Sequence, residues 1–124
     1  MELYFGSLEN SSPDLNTRSM VIFSIPDIGV KFKAPFAARS LALDYAALLT
    51  LLEFIDVNPQ LFANRALELF CNNFELVHQV NNRCVNDSDM VPFLKKALVY
   101  RRKLNYSINW IPETDNPARH PEID

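Results

Sequence analysis

The chain has 124 residues, 48% of them apolar, with nine phenylalanines and a formal net charge of −3. This length and composition suit one domain, residues 1–124, with one hydrophobic core, and exclude a disordered chain. The acidic balance excludes binding to nucleic acid through overall charge, so any such role needs a local basic patch. The two cysteines, Cys71 and Cys84, have no metal-ligand spacing and read as free thiols. The longest apolar stretch, 42–55, is broken by Asp44, Thr50 and Glu53 and is too polar to span a membrane. No secretory leader pattern is visible, so an intracellular location, cytoplasm or nucleus, without membrane association is expected.

In chain order, residues 1–5 predict a short strand, and the Ser- and Asn-rich stretch 6–18 a polar connector. Met20 to Ile25 is a β-branched and aromatic run. Pro26-Asp27-Ile28-Gly29 then reads as a turn, and Val30 to Lys33 alternates apolar with polar, which predicts a hairpin ended by Pro35. Ser40 is a candidate N-cap for a helix over 41–56. Leu48, Leu51 and Ile55 share one face of it, Tyr45, Leu52 and Phe54 widen that face, and only Thr50 and Glu53 mark a polar side, so the helix should be largely buried. Asn58-Pro59 stops it.

A strand is expected over 66–71. Asn72 or Asn73 should cap a short helix ending near Val80, and Asp87 or Ser88 should cap the next one. Residues 90–104 predict an amphipathic helix with Phe93, Ala97, Tyr100 and Leu104 on one side. Lys95, Lys96, Arg102 and Lys103 fall on the opposite arc. Tyr106 to Ile111 alternates as a strand should, which places Tyr106 and Trp110 together in the core. The proline-bearing tail, 112–124, reads as irregular. The order β, β-hairpin, α, β, α, α, β predicts an α/β architecture with a mixed sheet covered by helices.

Several strings at these places resemble the ribonuclease H family, most closely the ribonuclease H domains of long-terminal-repeat retroelements. Leu3-Tyr4-Phe5-Gly6-Ser7 resembles the family's first-strand string Leu-Tyr-Phe-Asp-Gly-Ser with its aspartate missing. Asp44 to Leu49 resembles Glu-Tyr-x-Ala-Leu-Leu of the first helix. Leu67 to Val80, LELFCNNFELVHQV, resembles the strand-helix string in which Asp-Ser precedes x-x-Leu-Val-x-Gln-Val. Ile108 to Pro112, followed by Asn116-Pro117-Ala118, resembles the last strand and the entry to a final helix. The resemblance covers nearly the whole chain and implies a mixed five-stranded sheet flanked by about three helices.

It also implies a chemistry. Enzymes of this family cut RNA in an RNA–DNA hybrid with two Mg²⁺ ions, held by a cluster of about four carboxylates because Mg²⁺ demands hard oxygen ligands. At the four matching places this chain has no acid after Phe5, then Asp44, Asn72 and Arg119. The resemblance therefore predicts a pseudo-ribonuclease H: no catalytic residues and no metal site, with Asp44, Asn72 and Arg119 as remnant positions. Asp44, taken to lie in the first helical turn, reads equally well as a capping carboxylate. Glu9, Asp14 or Asp124 could supply a displaced carboxylate, and Mg²⁺ enters as a cofactor only under that reading.

Three functions follow. The first is an inactive, retroelement-derived module that binds RNA–DNA hybrid or duplex through Lys95, Lys96, Arg102 and Lys103, or acts as a scaffold. The second is a protein-interaction module, pairing with a protein partner or a second copy through an exposed sheet edge. The third is a metal-dependent hybrid ribonuclease with displaced carboxylates. His78 and His120 have no convincing catalytic partners in sequence.

Overall fold

The computed structural model describes residues 1–9 and 19–120. Five strands form one mixed sheet: β1 (Glu2–Leu8), β2 (Met20–Ile25), β3 (Val30–Pro35), β4 (Leu67–Cys71) and β5 (Tyr106–Trp110). Their spatial order is β3-β2-β1-β4-β5. The β1–β2 and β2–β3 pairs are antiparallel, while β4 runs parallel to both β1 and β5. The helices are α1 (Ser40–Val57), α2 (Pro59–Phe62), α3 (Phe74–Asn82) and α4 (Val91–Leu104).

The hairpin forms where expected. Pro26 opens a 3-10 turn, and Gly29 closes it at φ 66°, a left-handed conformation that glycine adopts without strain. The helix α1 buries Tyr45, Leu48, Leu51, Leu52 and Ile55 and leaves Glu53 exposed, as its pattern requires. It packs on β1 and β2 and against α4. Leu3 and Phe5 of β1, Phe23 of β2, Leu69 of β4 and Ile108 of β5 complete this core. The buried hydroxyls within it are satisfied: Tyr45 donates to Gln79 Oε1 at 2.8 Å, and Tyr106 donates to the Ala97 carbonyl at 2.7 Å. Burial pushes the Tyr45 phenol up to about 12.

Several expectations need correction. The first strand runs on through Gly6, Ser7 and Leu8, so the polar connector starts later than composition indicated. Ser40 does not cap α1. It is the first helical residue, and its N–H donates to Glu9 Oε1 at 3.1 Å, so a carboxylate from the end of β1 serves that helix terminus. Glu9 is thereby occupied as a helix-end acceptor. Asp14 and Asp124 lie outside the described residues.

Leu94 and Ala97 are the buried residues of α4, while Phe93, Tyr100 and Leu104 flank them half-buried. Trp110 is 47% exposed, against 3% for Tyr106. It sits at the strand's last residue, where the start of α3 covers it only through the edge of Phe74. The tail is ordered through His120: 3-10 turns at Glu113–Asp115 and Pro117–Arg119 carry the fully buried Asn116 and the buried Ala118 onto β1 and β2. Among the described residues no helix is long and apolar enough to cross a membrane.

Candidate functional site

At the C-terminal end of β1, alternation sends Gly6 to one face of the sheet and Ser7 to the other. Ser7 faces α1, where its hydroxyl donates to Asp44 Oδ1 at 2.7 Å. Gly6 faces the tail. A Cβ added there would lie 3.2 Å from Arg119 Cδ and 3.4 Å from Asn116 Nδ2, so the missing side chain lets this arginine pack closer than another residue would without a shift of a few tenths of an ångström.

Asp44 belongs to the second turn of α1, not the first, and it caps nothing. Its second oxygen, Oδ2, accepts the Asn73 side-chain N–H at 2.7 Å. Both carboxylate oxygens thus have protein donors, one from β1 and one from the junction after β4. Asn73 works in two directions, because its Oδ1 accepts the Leu76 N–H at 3.2 Å and caps α3. The cap predicted for Asn72 or Asn73 is therefore Asn73.

Asn72 turns instead toward the tail. Its Oδ1 accepts the Asn116 side-chain N–H at 2.8 Å, and its carbonyl accepts the Trp110 indole N–H at 3.2 Å. The same Asn116 amide donates to the Phe5 carbonyl at 2.9 Å, and its Oδ1 accepts the Ala118 N–H at 3.1 Å. Asn116 therefore ties together β1, the end of β4 and the tail. Arg119 follows it, with its Nη2 donating to Glu113 Oε1 at 3.2 Å. Its Nε is buried without a partner among the described residues.

The three positions that the resemblance singles out, Asp44, Asn72 and Arg119, are thus brought to one end of the sheet. The resemblance strings contain Gly6, Ser7 and Asn116, but sequence reasoning gave them no contact role. The signal for Gly6 and Ser7 was the continuation of alternation past Phe5. Nothing local shows what Asn116 holds, because its partners are 111 and 44 residues away.

Cys71 ends β4 beneath this cluster, fully buried. Burial pushes its thiol up to about 12, helped by the nearby Asp44 charge, while the Asn73 N–H and Arg119 act in the opposite direction. Cys84 is exposed. A thiol reagent such as Ellman's reagent is expected to modify Cys84 within minutes and to reach Cys71 only on unfolding, and Cys84→Ser should remove the fast phase. Fast modification of Cys71 in the folded protein would contradict the burial.

Of the five basic residues of α4, Lys95, Lys96, Arg102 and Lys103 are exposed and Arg101 is half-buried, and the four exposed ones are not equivalent. Lys103 Nζ lies 2.8 Å from Asp56 Oδ1 of α1, and this hydrogen bond raises its pKa. Lys95 and Lys96 are exposed and make no ion pair among the described residues, and Arg102 shares a groove with Arg83 at the end of α3. His78 is exposed, stacked on Phe74 with ring centroids 6.0 Å apart. His120 Nε2 lies 3.3 Å from the Glu113 carbonyl. Neither histidine touches Asp44. Among the described residues no three His, Cys, Asp or Glu side chains group to hold a metal ion.

The sheet order and the helices packed on it are those of the ribonuclease H fold. The LC11-RNase H1 isolated from compost superposes with a TM-score of 0.77 over 97% of this chain and 89% of its own, at 14% identity. Its complex with an RNA/DNA hybrid gives 0.75 at 15% identity, over 93% and 87% of the two chains. RNase H1 of the halophilic archaeon Halobacterium salinarum gives 0.66 at 19% identity, over 97% and 91%. The prototype foamy virus protease-reverse transcriptase gives 0.63 at 12% identity, with 98% of this chain covering 19% of that one. No family model matches the sequence, and no curated protein matches it. Identities this low establish the fold and leave the activity to the residues.

Proposed function

We propose that this chain is a catalytically inactive ribonuclease H-like domain that binds RNA–DNA hybrid or duplex as a non-cutting module. The observation that carries the reading is Arg119 packed on Gly6, beside a single carboxylate whose two oxygens already accept from Ser7 and Asn73. Mg²⁺ takes hard oxygen ligands in near-octahedral geometry, one or two carboxylates among them, and in this family about four. Here Asp44 is the one carboxylate at these places, Asn72 offers a neutral oxygen that is already engaged, and Arg119, paired with Glu113, adds a cation in place of a ligand. These residues do not fit a divalent ion.

Nucleic-acid binding draws support from the fold shared with LC11-RNase H1, which is described in complex with an RNA/DNA hybrid. It also draws on the exposed Lys95 and Lys96 of α4. The likeness to the foamy virus enzyme supports a retroelement origin. The purified protein is expected to bind a hybrid with a steep salt dependence and to leave it uncut in Mg²⁺. Lys95→Glu with Lys96→Glu should weaken binding about tenfold and reduce the salt slope by roughly 2. Unchanged affinity in that variant would remove α4 from the interface.

One observation favours a protein-interaction module instead. Phe74 is 65% and Trp110 47% exposed, with rings meeting edge-on at a 6.4 Å centroid separation beside Asn72. Such paired aromatics suit a protein partner as well as nucleobases. A stable complex or homodimer without nucleic-acid affinity would decide for that reading.

A further inference from the structure

At the far end of α3 from Asn73, a groove of about 490 Å³ separates the C-terminal ends of α3 and α4. Arg83, Leu98, Arg101, Arg102 and Asn105 line it. Three guanidiniums from two elements therefore share one concavity, and no carboxylate lines it. Arg83 and Arg102 make no ion pair among the described residues. Arg101 is held in place: it lies 5.8 Å above the Tyr106 ring and gives one N–H to the Val80 carbonyl at 3.3 Å. Its remaining donors are left for a ligand.

We propose that this groove is a phosphate-binding site, separate from the Asp44–Asn72–Arg119 cluster. Guanidinium forks match the oxygens of a phosphate, and three of them in one groove repel each other until an anion enters. The helix ends set an opposing field, because C-terminal carbonyls carry partial negative charge. That field is reduced here. The Gln79 carbonyl accepts the N–H groups of Arg83 and Cys84, the Val80 carbonyl accepts Arg101, and the Arg101 carbonyl accepts Asn105 N–H. The volume lies within the range of small-ligand pockets and has room for more than one phosphoryl group.

The phosphate has two possible sources, a small molecule bearing a diphosphate or the backbone of a nucleic acid. A helix of nine residues places the groove about 13 Å from the Asn73 cap, so one strand of nucleic acid laid along α3 could reach both.

The full chain is titrated with pyrophosphate, followed by amide NMR shifts, and separately with a short DNA duplex. Saturable pyrophosphate binding with shifts centred on 83 and 101–105 is expected. Arg83→Asn with Arg102→Gln should weaken it at least about tenfold. Asparagine keeps the left-handed backbone of position 83, φ 56°, and Arg102 is exposed, so the pair should fold, and an unchanged melting temperature verifies it. Lys95→Gln with Lys96→Gln should leave pyrophosphate binding unchanged. If duplex binding also weakens in the arginine pair, the nucleic-acid backbone is the source. If only pyrophosphate is lost, a small phosphorylated ligand is. Pyrophosphate that fails to saturate, or that binds the arginine pair as tightly as the parent, overturns the proposal. Neither failure touches the nucleic-acid reading, which rests on Lys95 and Lys96.

Discussion

A variant carrying Gly6→Asp, Asn72→Asp and Arg119→Asp together is expected to bind Mn²⁺ or Mg²⁺, where the parent chain releases no heat in calorimetry. The prediction follows from what crowds each position. A Cβ at Gly6 would lie 3.2 Å from Arg119 Cδ, so the arginine must give way by a few tenths of an ångström to admit an aspartate, and Gly6→Asp alone should destabilise the fold and bind no metal. Removing the arginine clears that space and removes the repelling charge. It also removes an Nε buried without a partner, worth about 1–3 kcal/mol of desolvation. Asn72→Asp keeps the acceptor that Asn116 uses and adds charge. With Asp44, the triple variant places four carboxylates at that end of the sheet.

Without metal those carboxylates repel, so the triple variant should melt below the parent. Metal at about 100 times its Kd should then restore about 2.7 kcal/mol, roughly 10 °C in a domain of this size. Calorimetry and thermal melting with and without Mn²⁺ provide the check. Mg²⁺ heat in the parent, or hybrid cleavage by it that Asp44→Ala abolishes, would instead establish a working nuclease with carboxylates placed elsewhere.

Asn116→Ala is expected to cost about 3–5 kcal/mol, the largest loss from a single substitution around the cluster. Asn116 is fully buried, and its amide satisfies the Phe5 carbonyl, Asn72 Oδ1 and the Ala118 N–H at once. Alanine leaves these groups without partners and opens a cavity. The melting temperature should fall by at least about 10 °C. Asn116→Asp sharpens the point. A carboxylate there would face two acceptor oxygens in a buried site, which raises its folded pKa above the ordinary value of about 4. Protonated, it can still donate. The raised pKa means that its stability is fully present at low pH and is lost as pH rises from about 4 through the higher folded value. Denaturant unfolding at pH 4 and pH 7 tests the sign: a variant more stable at pH 7 would show that Asn116 does not donate to those oxygens.

The strands and helices were legible because each carries its own period. Leu48, Leu51 and Ile55 announce the buried face of α1, and the alternation through Ile108 announces β5. Errors fell where local pattern and three-dimensional neighbours disagree. Ser40 has the chemistry of an N-cap, yet a carboxylate from another strand end took the helix terminus. Trp110 has core parity, yet only Phe74 at the start of α3 reaches it and its ring stays half exposed. The prolines of the tail read as irregular, but a buried asparagine fastens that segment to β1.

The sequence by itself determined the order of elements, the hairpin, the apolar faces and the identity of Asp44, Asn72 and Arg119. Each rests on residues within a few positions of one another, where periodicity and turn chemistry act. Only the tertiary structure decided that Asp44 is held by Ser7 and Asn73, that Asn72 answers to Asn116, and that Arg119 lies on a glycine. Those contacts join residues 29 to 44 positions apart in the hydrogen bonds, and Gly6 to Arg119 across nearly the whole chain, and short-range pattern carries no information about which distant groups will meet. The Arg83–Arg101–Arg102 groove was hidden for the same reason: two helix ends make it, and neither end is a binding site alone.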